Sequence, residues 1–209
     1  MKNSKIILAS LVLTVMGFTN SNAQSSNVTK FGVKGGVNFS NLYTDNADDE
    51  NVLTGFNIGL YAKVPVTNSI SVQPEIYYTG KGAEVVYNTP VNGTAKFKLN
   101  YIEVPVMLVA NVTKNFNVQV GPYAGYLISG KTTNESGTYN FQDNINTDDF
   151  NKIDAGVAAG LGIDLETVSF GVRYNYGLTK VGKENPTTNQ TYPDAKNSVL
   201  SFYGAFSFN

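Results

Sequence analysis

The chain contains no cysteine, no histidine and no tryptophan. Without cysteine there is no disulfide framework, no lipidated N-terminal cysteine and no thiolate nucleophile. Without histidine, the commonest general base and the commonest transition-metal ligand are missing as well. The 20 glycines are scattered, and none forms a phosphate-cradling loop. An enzyme built from this chain would have to rest on a carboxylate pair alone. The expectation is therefore no catalytic residue, no cofactor and no metal site. Charge is sparse and slightly acidic: discounting Lys2 and Lys5, the 15 basic residues fall to 13 against 16 acidic ones. A nucleic-acid surface, which needs a basic stripe, is excluded.

Long apolar runs are also missing after the first two dozen residues. The chain opens on Met1-Lys2-Asn3-Ser4-Lys5, continues with an apolar run over 6–18, and reaches Ser21-Asn22-Ala23-Gln24. A basic start, an apolar middle and small residues at −3 and −1 predict a secretory signal peptide over 1–23, cut after Ala23. The run is too short for the ~20 residues that a membrane-spanning helix needs. A short extension over 24–28 then leads into one domain over 29–209.

What is present is alternation. Phe31, Val33, Val37 and Phe39 share one parity, and Lys30, Lys34, Asn38 and Ser40 share the other. In a strand the two parities face opposite sides, so one face is apolar and the other polar. The pattern recurs with apolar residues at 56–64, 70–78, 102–110, 116–128, 153–163, 168–176 and 200–208, which makes eight strands. Tight turns at 67–69, 112–114 and 166–167 alternate with long polar stretches at 41–51, 82–94, 131–151 and 179–196.

The polar parity is rich in glycine and carries Lys63, Glu75, Glu103, Asp154, Asp164 and Arg173; the apolar parity carries scarcely a charge. A soluble sandwich or soluble barrel would need its charges on the outer face. An apolar exterior around a polar interior fits lipid. The predicted fold is all-β: an eight-stranded antiparallel transmembrane β-barrel, an up-and-down meander, with both termini and the short turns on the periplasmic side. Phe116, Phe170, Phe206 and Phe208 near the short turns, and Tyr78, Tyr126 and Tyr176 near the long loops, read as two aromatic girdles. Pro74, Pro105 and Pro122 fall inside strands, where each removes a ladder hydrogen bond, so bulges or strand-end positions are expected to absorb them.

Those prolines sit in recognisable segments. Gln73-Pro74-Glu75-Ile76-Tyr77-Tyr78, Tyr101-Ile102-Glu103-Val104-Pro105-Val106, Gly121-Pro122-Tyr123-Ala124-Gly125 and Arg173-Tyr174-Asn175-Tyr176-Gly177-Leu178 resemble stretches of the PorT-like outer-membrane β-barrel family of Bacteroidota. The resemblance covers essentially the whole chain after the signal peptide. It implies an eight-stranded porin-like barrel in the outer membrane and no single activity; founding members are linked to protein secretion. Barrels of this kind commonly end on an aromatic residue read by the barrel-insertion machinery, whereas here Phe208 is penultimate and Asn209 last.

Inside the barrel, Glu75 lies six residues past Ser69 and Arg173 six past Thr167, on strands that face one another across eight. An eight-stranded barrel is just wide enough for side chains to fill. The two are expected to meet near the axis, with Glu103, Lys63 and Tyr77 as further members of a structural polar network. The acidic clusters Asp45, Asp48, Asp49, Glu50 and Asp148, Asp149 read as solvated loop surface. The expected partners are outer-membrane lipid and lipopolysaccharide, the insertion machinery, and a protein partner through the long loops. The expected function is structural, adhesive or partner-docking. A small-solute channel or secretion component, and a soluble periplasmic ligand-binding barrel, remain as alternatives.

Overall fold

The computed structural model describes residues 28–43, 52–87, 93–136, 139–144, 147, 150–184, 191–192 and 195–208. The signal-peptide reading of 1–23 and the acidic loop clusters lie outside the described residues. In chain order the elements are β1 (Lys30–Tyr43), β2 (Leu53–Pro65), β3 (Ile70–Tyr87), β4 (Gly93–Asn111), β5 (Phe116–Ser136) and β6 (Tyr139–Asn144). They continue with β7 (Ile153–Leu165), β8 (Val168–Lys180), β9 (Lys183–Glu184), β10 (Thr191–Tyr192) and β11 (Lys196–Ser207).

Each long strand pairs antiparallel with the next, and β1 pairs with both β2 and β11. That last pairing closes an eight-stranded barrel from β1, β2, β3, β4, β5, β7, β8 and β11, leaving none of these without a partner on either side. Closure is what allows strands to stand in hydrocarbon, because every backbone group must be satisfied within the protein. Two short turns use the same chemistry. Thr67 Oγ1 accepts from the amides of Ser69 and Ile70, and Thr113 Oγ1 from those of Asn115 and Phe116, at 3.0 to 3.3 Å. The third is the two-residue turn at Glu166, whose φ is +50°.

The facing follows the alternation. Ile58, Leu60, Val157, Phe170 and Phe202 are exposed, whereas Lys34, Glu75 and Arg173, on the opposite parity, are only 3–4 % exposed. Phe116, Phe170, Phe206 and Phe208 stand on the outer wall at the short-turn end. Near the loop end Phe56 lies beside Tyr78 and Tyr43 stacks on Tyr176. An arginine placed mid-wall, Val172→Arg, is expected to destabilise the barrel by about 2–4 kcal/mol in lipid vesicles. Val28→Arg, exposed ahead of the first strand, should stay within about 0.5 kcal/mol. Urea titration of the two vesicle-inserted variants measures this, and equal stabilities would mean the wall does not face lipid.

Two expectations are corrected. The stretch 82–94 is not simply a loop: β3 runs to Tyr87 and β4 starts at Gly93, and β5 likewise runs on to Ser136 with β6 laid against it. The ladder outlasts the apolar stripe, because beyond the hydrocarbon an outward side chain no longer has to be apolar. The prolines are not absorbed by bulges either. The register is the same on both sides of Pro74, Pro105 and Pro122, and the pairing simply lapses beside each of them on one side, towards β2, β3 and β4 respectively. The register shifts lie elsewhere, at Asn100/Tyr101 and Lys196/Ser198.

Candidate functional site: a charged barrel interior

The inward parity needs room for large polar side chains in a narrow barrel, and inward glycines supply it. Gly32, Gly156 and Gly171 sit directly across the ladder from Tyr61, Tyr123 and Tyr203. A Cβ on any of them would come within 2.4 to 2.8 Å of the facing tyrosine ring. The rings therefore lie flat against the wall over bare backbone, and the axis is left to longer charged side chains.

These side chains form three groups along the axis. At the short-turn end Lys63 pairs with Asp164 at 2.7 Å, and Asp164 also accepts from Ser169 (2.7 Å) and Asn117 (3.0 Å). At mid-height Arg173 grips Glu75 with both guanidinium nitrogens, at 2.5 and 3.0 Å, a planar two-point contact. Glu75 also accepts from Lys34 (3.1 Å), from Gln73 (2.5 Å) and from the Tyr77 hydroxyl. Arg173 donates further to Gln119 at 2.6 Å, and Lys34 stands 3.6 Å from the centre of the Tyr203 ring.

Nearer the loop end, Lys81 bridges Glu103 and Asp154, the latter at 2.8 Å. Asn175 donates to Glu103 at 2.9 Å, and Lys81 lies over the rings of Tyr123 and Tyr101. Above this level the interior turns apolar. Leu42, Ala83, Leu99, Tyr101 and Leu127 pack with Val181 and Ala195 from the β8–β11 connection, and Phe150 leans on them.

The charges balance. Four cations, Lys34, Lys63, Lys81 and Arg173, meet four carboxylates, Glu75, Glu103, Asp154 and Asp164. The balance is not local: the middle group holds two cations around one carboxylate, and the upper group holds one cation between two. Between them lies a cavity of about 20 Å³, lined from below by Lys34 and Arg173 and from above by Lys81 and Glu103. That is room for one water. A larger cavity of about 750 Å³ opens at the short-turn end and reaches inward to Lys34, Gln73, Gln119 and Tyr203.

Of the residues expected to form one network, Glu75, Arg173 and Tyr77 come together. Glu103 belongs to the group around Lys81 instead. Lys63 does not join Glu75: it stands near the β2–β3 turn and is taken by Asp164, which stands near the β7–β8 turn. Both lie within the last three residues of their strands at the short-turn end, a signal present in the sequence. Lys34, Lys81, Asp154, Gln119 and Asn175 were missed as members.

The architecture is that of known outer-membrane barrels. The structure of Ail, the attachment invasion locus protein of Yersinia pestis, in complex with the heparin analogue sucrose octasulfate, is similar with a TM-score of 0.51 and 15% identity. Neisserial surface protein A is similar with a TM-score of 0.52 and 16% identity. Each match covers 87% of this chain and 100% of the other. At such identities the likeness concerns the fold. No curated protein matches the chain. The family described as outer membrane protein beta-barrel domain matches residues 22–182, more than half of the sequence, and the chain belongs to that outer-membrane family.

Proposed function

We propose that the protein is a non-catalytic outer-membrane barrel, plugged by its own side chains, which acts through its loop end in adhesion or in docking a partner. One observation carries the plug: among the described residues, the charged groups at mid-height and above, Lys34, Glu75, Arg173, Lys81, Glu103 and Asp154, are each engaged by an opposite charge across two successive levels, with an apolar cluster above them. A solute would have to break buried ion pairs to pass. Residues 1–23 serve as the export signal in this reading, and the four proline- and tyrosine-bearing segments support kinship with the PorT-like barrels. The fold shared with an attachment protein agrees with an adhesive role without specifying a ligand.

The channel reading draws support from the cavity at the short-turn end, which a conducting barrel would use as its mouth. Planar-bilayer recording separates the two. The purified protein is expected to give no steady conductance at moderate voltage. Stable unitary currents from the unmodified protein would put the channel reading in place of the plug.

A further inference from the structure

The outer wall is almost free of charge, and its exceptions are concentrated. Across the described outward wall the charged side chains are Glu84, Lys96, Lys98, Lys131, Lys180 and Lys196, and all stand at the loop end. They are not dispersed there. Lys98 is the direct cross-strand partner of Lys131, and Lys196 that of Lys180. Like charges directly opposite on one face of a ladder repel and destabilise the pairing. Here the arrangement occurs twice, on different sides of the barrel.

Both pairs also stand over aromatic rings of the wall. Lys98 Nζ is 5.7 Å from the centre of the Phe56 ring, which lies beside Tyr78; Lys196 Nζ is 5.8 Å from that of Tyr43, which stacks on Tyr176. Outward aromatics of this kind mark the level where hydrocarbon gives way to headgroups. Each lysine pair is therefore held at headgroup height, Lys98 about one ladder step beyond Phe56 and Lys196 directly across from Tyr43. The neighbouring position on β3 is Gly80, and the Lys98 stem lies across it, its Cε 3.3 Å from where a Cβ would stand. On the first side Glu84 lies within 4.0 Å of Lys96, the lysine next along the strand, so Lys98 and Lys131 are not the ones it neutralises.

We propose that these two pairs, Lys98 with Lys131 and Lys180 with Lys196, are binding sites for the phosphates of lipopolysaccharide in the outer leaflet. The anion at this height and on this face is a lipid phosphate, and one phosphate between two ammonium groups turns a repulsive pair into an attractive triad. The inference rests on the loop end facing outward, as the functional reading above has it, but not on the plug, so the bilayer recording and the experiment below fail independently.

The test uses the full mature protein purified from outer membranes in detergent. Rough lipopolysaccharide is added, and retained molecules are counted by native mass spectrometry with affinity from titration. The unmodified protein is expected to hold one molecule per lysine pair. Lys98→Gln with Lys131→Gln should remove one and weaken that site roughly 25-fold, at about fivefold per lysine; Lys180→Gln with Lys196→Gln should do the same for the other. The Lys→Arg versions should keep both, and Lys114→Gln in the β4–β5 turn should change nothing. Urea midpoints in lipid-free detergent should stay close to that of the unmodified protein for the glutamine variants, since the relieved repulsion offsets the lost cation–ring contacts, so lost binding is not lost folding. Retention of enzymatically dephosphorylated lipopolysaccharide at full affinity, or unaltered binding by both glutamine variants, would overturn the assignment. So would displacement of lipopolysaccharide by soluble heparin at equal affinity, which would make the pairs a site for sulfated glycans.

Discussion

Lys81→Met is expected to destabilise the barrel by about 5 kcal/mol, at the upper end of the ~3–5 kcal/mol typical of breaking a buried ion pair. Lys81 is 1 % exposed and is the shared cation of Glu103 and Asp154, both buried. Removing it leaves two carboxylates with only neutral donors, Asn175 on one and Thr179 on the other. The apolar cluster directly above gives them no route to solvent on that side. Methionine fills the volume of the lysine stem, so packing changes little and the loss is chiefly electrostatic. Combining Lys81→Met with Glu103→Gln and Asp154→Asn removes the unpaired charges too, and should recover more than half of the loss. Equilibrium urea unfolding in detergent, with the folded fraction read from heat-modifiable gel mobility, measures all variants. A single variant within about 1 kcal/mol of the unmodified protein would show that water reaches this level and screens the charges.

Lys81 also shows where the sequence stopped being legible. The apolar stripe of this strand gives out after Tyr78, and the polar stretch read as a loop begins at Gly82. In fact Gly80 lies beneath the Lys98 stem, Lys81 faces inward, and the ladder runs on to Tyr87. Strand facing could be read because lipid on one side and a charged interior on the other force a strict two-residue period. Strand ends could not, because outside the hydrocarbon that constraint disappears while backbone pairing continues. Fold class and strand count depend on facing; membership of the interior groups depends on height. Height follows from inter-strand register, which alternation does not encode. Alternation puts Lys34 on the inward face, yet only the β1–β2 and β2–β3 registers, which set it beside Gly59 and Tyr77, show that it comes within reach of Glu75.

That third member changes which of the central pair matters more. Arg173 and Glu75 are not equivalent: Glu75 faces two cations, whereas Arg173 has one carboxylate and the neutral Gln119 and Tyr77. Arg173→Met leaves Glu75 still paired with Lys34, so the loss should be that of charged hydrogen bonds, about 1.5–3 kcal/mol. Glu75→Gln leaves Arg173 and Lys34 buried around a neutral amide and should cost about 3–5 kcal/mol. The order of the two single variants is itself a test, since a simple isolated pair would lose similar amounts from either end. The double variant is expected to lose less than the two losses added together, with a coupling of about 0.5–3 kcal/mol. The coupling is incomplete because Lys34 remains in either case, resting against the Tyr203 ring. Adding Lys34→Met to the double variant removes that last charge and should raise stability above the double variant. Strict additivity of Glu75→Gln and Arg173→Met would mean that the two side chains, although in contact, are each solvated separately, and the interior would then hold water at mid-height.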